Sequence, residues 1–295
     1  MELYFILAGI FVGFCVGVTG VGGGSLMTPI LILLLKVEPH IAVGTDLLYA
    51  AISKFFGGVV HFKKSNVVWP IVLWLALGSI PASIVTNYLV ATYLGNINAI
   101  KLIMTLILGV MLTITGVSLI FRNRIEAFFD KYRTTDQTDS LTSQIPKYKL
   151  VLMGILLGVV VTLSSVGAGA FGVMALVLIF PQLPLIRIIG SDVVHAVLLT
   201  LVAGLGHLLS GSVDFHMLTF LLIGAIPAII VGTLLSSKLP EKKLRPILGV
   251  TLLLLGINFV VNPAKAKPKA AVNTPVATTA AVSYTHLTLP TSDLV

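Results

Sequence analysis

The sequence predicts an all-α integral membrane protein made of two inverted repeats of five hydrophobic segments each, and three observations support that fold class. Of 295 residues, 57% are hydrophobic and only 10% charged, with a mean hydropathy of +1.06, which excludes a soluble globular domain. Glycine-rich breaks interrupt the apolar runs at Gly20 to Gly24 and again at Gly167 to Gly169. The stretches around those breaks also match each other in register. Gly9, Gly13, Val21, Gly22 and Gly24 correspond to Gly154, Gly158, Val166, Gly167 and Gly169 at an offset of 145. At an offset of 146, Gly44, Asp46, Ala50, Gly58, His61, Gly78, Pro81 and Ala82 correspond to Gly190, Asp192, Ala196, Gly204, His207, Gly224, Pro227 and Ala228. Matched Asp, His and Pro residues at one register point to duplication.

The first segment, Leu3 to Thr19, follows a start that lacks the basic region and small-residue cleavage site of a signal peptide, so it is expected to stay in the membrane. Ser25 to Leu35 is too short to cross alone, because about 20 helical residues are needed for roughly 30 Å of hydrocarbon. The first two segments therefore read as a broken or re-entrant hairpin closed by the glycines. His40 to Phe62, Val67 to Val90 and Ile97 to Phe121 are long enough to span, and they complete a first transmembrane repeat over residues 1–121.

Residues 122–149 are polar with basic ends and read as a cytoplasmic linker. Leu150 to Ser164 and the short Ala170 to Phe180 form the second expected hairpin. Leu185 to Leu209, Phe215 to Leu235 and Leu244 to Val261 complete a second repeat over 150–262. Residues 263–295, rich in Ala, Pro and Thr, cannot form a core and read as a disordered or artefactual tail.

Each hairpin returns the chain to its starting side, so each half makes an odd number of net crossings and the repeats are inverted. Thirteen segment-end bases, among them Lys63, Arg122, Lys147, Arg187 and Arg245, fall on one side, against Lys36, Lys101 and three tail lysines on the other. By the positive-inside rule the first side is cytoplasmic, which places both termini outside. The net charge of +8 thus reports topology, and no nucleic-acid partner is expected. With Cys15 as the only cysteine there is no disulfide framework or cysteine metal site, and no cofactor is expected.

Broken backbone in hydrocarbon leaves peptide groups unsatisfied unless protein or a polar cavity covers them, and paired breaks at matching positions are the sequence mark of a transporter's binding site. The candidate substrate-binding set is Thr19, Gly22, Gly23, Gly24, Ser25, Ser164, Ser165, Gly167 and Gly169, with Thr28 nearby. Helix N-termini after each break would turn N–H groups toward an anion. Gly9, Gly13, Gly154 and Gly158 suit close helix packing instead.

Asp46 and its mate Asp192 are ionisable groups inside spans, and either a proton-coupling role or a late helix cap fits their spacing. His195 and Tyr49 lie three residues on along the same face, so His195 could hydrogen-bond Asp192 and relay a proton. Lys54 sits deeper and has Thr200 as its mate, so it is a candidate anion-binding charge on one half only. His61 and His207 read as interfacial or structural.

Gly-x-Gly-Gly-Gly-x-Leu-x-x-Pro at 20–29, Val-Gly-Thr-Asp-Leu at 43–47 followed by His61-Phe-Lys-Lys, Gly-Ser-Ile-Pro-Ala at 78–82 and the repeated Ser-Ser-x-Gly-x-Gly resemble the sulfite exporter TauE/SafE family over residues 5 to about 262. The resemblance implies an inner-membrane transporter built from two related halves and associated with export of sulfite or organosulfonates such as sulfoacetate.

The expectation is a secondary transporter, an exporter of a small anion working by alternating access, with the bilayer, the anion and protons as its partners. No Gly-x-x-x-x-Gly-Lys-Ser/Thr phosphate loop is present. A passive anion channel is one alternative. An intramembrane aspartyl protease using Asp46 and Asp192 is another, although the Tyr-Asp, Gly-x-Gly-Asp and Pro-Ala-Leu signatures of that class are missing, so no enzyme is expected.

Overall fold

The computed structural model describes residues 2–19, 24–93, 97–130, 146–167, 169–235 and 241–263. Gly20 to Gly23, most of the linker and the tail from 264 lie outside the described residues, and so do the expectations placed on them.

Among the described residues ten helices follow one another: α1 Glu2–Thr19, α2 Gly24–Leu33, α3 Pro39–Lys63, α4 Trp69–Tyr93, α5 Ile97–Asp130, α6 Lys147–Ser164, α7 Ala170–Ile179, α8 Leu185–Leu209, α9 Phe215–Leu235 and α10 Glu241–Val261. No strand occurs among the described residues. Six of the helices (α3, α4, α5, α6, α8 and α9) contain stretches long and apolar enough to cross a membrane, and α1 and α10 are apolar but shorter. Leu3, Leu73, Leu152, Leu198 and Ile230 are among the large hydrophobic side chains left on the outer surface, as a bilayer requires.

α2 and α7 have ten residues each, about 15 Å of helix, roughly half of the hydrocarbon thickness. Each follows an 18-residue helix after a break. The second break is visible in its backbone: α6 ends at Ser165 in the left-handed region (φ 58°), and Gly167 and Gly169 take φ of 120° and 142°. Glycine tolerates those angles and a side chain does not, which accounts for glycine at both positions. The α7 end is then closed by Gly172 N donating to Gly167 O at 3.0 Å and Val173 N to Gly169 O at 2.8 Å.

The largest interfaces join helices of different halves: α1 with α9, α4 with α6, α3 with α8 and α5 with α10. Glycine sets the spacing in all four. A Cβ at Gly9 would strike Leu221 O and one at Gly154 would strike Leu75 O, and the pairs Gly13/Ala225 and Gly158/Ser79 repeat the pattern. These contacts map onto each other at the same 145 and 146 offsets that relate the sequences. Gly9, Gly13, Gly154 and Gly158 therefore have the packing role their spacing suggested. Direction follows from the same contacts. Along α1 and α9 the contacting numbers rise together, from Gly9/Leu221 to Gly17/Ile229, so those helices run parallel, as do α4 and α6. Leu48 meets Gly204 while Gly58 meets Val194, so α3 and α8 run antiparallel.

Candidate functional site

The site lies where α3 and α8 cross among the short helices. Asp46 stands seven residues past the start of α3, and Asp192 stands seven past the start of α8. Both carboxylates are buried inside helices, so neither is a cap. Their neighbours reach across to the other half: Asp214 N donates to Thr45 Oγ1 at 3.0 Å, and Val68 N donates to Ser191 Oγ at 2.8 Å. Each hydroxyl holds the residue just before a helix of the opposite half, and the two bonds are related by the offset of 146.

Asp46 joins α2 to the second break. Its Oδ2 accepts a hydrogen bond from Thr28 Oγ1 on α2. Ser165, from the second break, stands beside the same carboxylate without closing a bond to it. Asp192 packs against α7, where a Cβ at Gly172 would fall on its Oδ1. Each aspartate thus adjoins the short helix of its own half. A larger residue at 172 would displace the carboxylate, which explains glycine there.

Lys54 is partly buried and lies within electrostatic reach of Asp192, Asp46 and His195. Thr200, its mate, donates its hydroxyl to Ala196 O at 2.7 Å, so the cation belongs to one half only. His195 directs Nε2 to Ser79 Oγ on α4 at 2.8 Å, and its Nδ1 makes no hydrogen bond among the described residues. The bond that residue spacing suggested from His195 to Asp192 is thus replaced by one to α4. Tyr49 OH, Ser165 Oγ and Asp46 Oδ1 are likewise buried without a hydrogen-bond partner among the described residues. Unsatisfied buried polar atoms cost about 1–3 kcal/mol each, and these gather around one carboxylate.

Of the residues singled out from the sequence, Ser165, Lys54, Asp46, Asp192 and His195 belong to this cluster. Ser164 is buried but bonds locally, donating to Val160 O at 2.7 Å and accepting from Val166 N at 3.2 Å, so it shapes the break. Gly167 lines the break against Met111. Thr19 ends α1 and Gly24 opens α2, with Ser25 buried behind it. Gly22 and Gly23 lie outside the described residues. Ser79 was missed, because nothing in the sequence links it to a histidine 116 residues away.

No group of three or more His, Cys, Asp or Glu residues among those described is placed to hold a metal ion. An apolar pocket of about 690 Å³ between α4, α5 and α6, lined by residues such as Leu77, Pro81, Val85, Ile103 and Leu163, offers an anion no charge.

The family model for the sulfite exporter TauE/SafE matches residues 5–259. The chain is 33% identical over 260 residues to the probable membrane transporter protein YjnA of Bacillus subtilis, covering 88% of this chain and 100% of that one. It is 23% identical over 256 residues to the probable membrane transporter protein YdhB of the same organism, covering 85% and 97%. A third relative, the probable membrane transporter protein MJ0441 of Methanocaldococcus jannaschii, is 25% identical over 267 residues, covering 84% and 92%. No solved structure matches. A family match across nearly all the described helices makes this chain a member of the sulfite exporter TauE/SafE family of membrane transporters.

Proposed function

We propose that the chain is a secondary transporter, working as an exporter, that moves a small anion such as sulfite or an organosulfonate with protons as the coupling ion. The observation that carries this reading is that Asp46 lies between Thr28 of α2 and Ser165 of the second break, with Lys54 close by. Lys54 supplies the positive charge and the break backbone supplies N–H donors. Asp46 and Asp192 take up protons, and His195 lies beside them. With both carboxylates ionised and Lys54 protonated the centre carries one net negative charge, so an arriving anion needs a proton to accompany it.

The antiparallel crossing of the mates α3 and α8, with the exchanged pairings of α1 with α9 and α6 with α4, supports two inverted repeats. In this reading residues 1–121 and 150–262 rock about the centre, with 122–149 as a cytoplasmic linker and both termini outside. Counterflow tests it: proteoliposomes loaded with unlabelled sulfite or sulfoacetate should transiently accumulate external labelled substrate. Labelled substrate that merely equilibrates, with no overshoot, supports a channel and contradicts the carrier.

A further inference from the structure

Ser79, Ser83 and Asn87 stand four residues apart on one face of α4, and all three are buried. Each meets a polar group of the second half. Ser79 Oγ lies 2.8 Å from His195 Nε2, Ser83 Oγ lies 2.8 Å from Thr162 Oγ1, and Asn87 Nδ2 donates to Ala203 O at 3.2 Å. Thr162 O in turn accepts from His207 Nε2 at 2.9 Å. His207, near the end of α8, lies within reach of His40, which opens α3 together with Glu38 and Lys101. The polar groups therefore run from the charged centre at Lys54, Asp192 and Asp46 to the half-exposed cluster at Glu38, His40 and Lys101.

Three buried atoms along this line, His195 Nδ1, Asn87 Oδ1 and His207 Nδ1, make no hydrogen bond among the described residues. Carrying several such atoms on one seam is costly unless water reaches them in another conformation. The repeat-related seam lacks these three hydroxyls: Ser79 and Ser83 have Ala225 and Ile229 as mates, and Thr162 has Gly17. There α1 and α9 meet backbone to backbone, with a Cβ at Gly13 only 2.6 Å from Ala225 O.

We infer that the polar file through Ser79, Ser83, Thr162 and His207 is the route by which water and protons reach the central aspartates from the face where α8 ends, and that its mate seam stays dry. On the orientation proposed above that face is extracytoplasmic. The inference rests on the transporter reading, because it gives the central carboxylates a proton source. A backbone carbonyl and hydroxyls one helical turn apart cannot relay a proton unaided, so the file conducts only when water fills it as α4 shifts against α6 and α8.

Cysteine access tests this without requiring the substrate to be known. In a Cys15→Ala background, Ser79→Cys and Ser83→Cys would be compared with Ala225→Cys and Ile229→Cys, using a charged, membrane-impermeant methanethiosulfonate added outside intact cells. The extent of labelling would be read from the intact mass. Thr162→Cys is the substitute if either serine variant fails to insert, and His40→Cys marks access to the mouth. Labelling at 79 and 83 should be at least about tenfold faster than at 225 and 229. Equal rates within the pairs, labelling only from the inside, or unreactive 79 and 83 beside a labelled His40→Cys would each overturn the inference. If labelling succeeds but no counterflow is seen, the file stands and the transporter reading fails.

Discussion

Lys54→Met should separate substrate binding from architecture. Removing the ammonium leaves Asp192 and Asp46 without the cation both can reach. A buried carboxylate left without a compensating charge is costly, so the variant should unfold at a lower temperature. An anion that loses its charged donor forfeits about 1.5–3 kcal/mol, a Kd weaker by roughly one to two decades. The double variant Lys54→Met/Asp192→Asn returns the centre to its original net charge and should regain most of the lost stability while binding stays weak. Asp192 is the better partner for that double than Asp46, since Asp46 is already held by Thr28. Thermal unfolding in detergent reads the stability, and equilibrium dialysis with labelled sulfite and sulfoacetate reads the binding. If the double variant recovers transport as well as stability, Lys54 serves only to pair the carboxylate and the binding role is refuted.

Gly167→Leu should abolish flux while the protein still reaches the membrane, because φ of 120° strains any side chain and its Cβ would lie 3.0 Å from Met111 Cε; flux normalised to membrane yield checks this. Thr45→Val and Ser191→Ala each remove the acceptor of one cross-half bond, so each should destabilise by about 1–3 kcal/mol, and the two losses should add, as read by thermal unfolding of the singles and the double. Asp46→Asn and Asp192→Asn should keep some substrate binding but make flux insensitive to an imposed pH gradient, which dialysis and gradient-driven transport measure separately. A reporter fused after Asn262 should read as extracytoplasmic and one placed within 122–149 as cytoplasmic; matching signals from both would contradict the inverted arrangement.

Segment order was legible because it is written in local pattern. Apolar runs and glycine clusters need no knowledge of which helices touch. The short second helix of each half was legible for the same reason, as eleven apolar residues cannot span a bilayer. What stayed hidden lies between helices. Serines and threonines in membrane helices often bond back to the preceding turn, as Thr105, Thr200 and Thr233 do, so a hydroxyl in the sequence gives no sign of a partner far away. Ser79 and Ser83 reach residues 116 and 79 positions off, and only the crossing of α4 with α6 and α8 creates those bonds. The alternative that the aspartates cap helices failed because α3 and α8 begin seven residues earlier, at Pro39 and Leu185, where prolines set the start.

The central claim, a carrier that couples a small anion to protons, is tested most directly by simultaneous anion and proton flux in proteoliposomes under an imposed pH gradient. Labelled sulfite or an organosulfonate should accumulate against its own gradient, at a fixed ratio to the protons that move with it, and stop when a protonophore collapses the gradient. Anion flux that only runs down its own gradient, with no proton movement and no response to the protonophore, would contradict it.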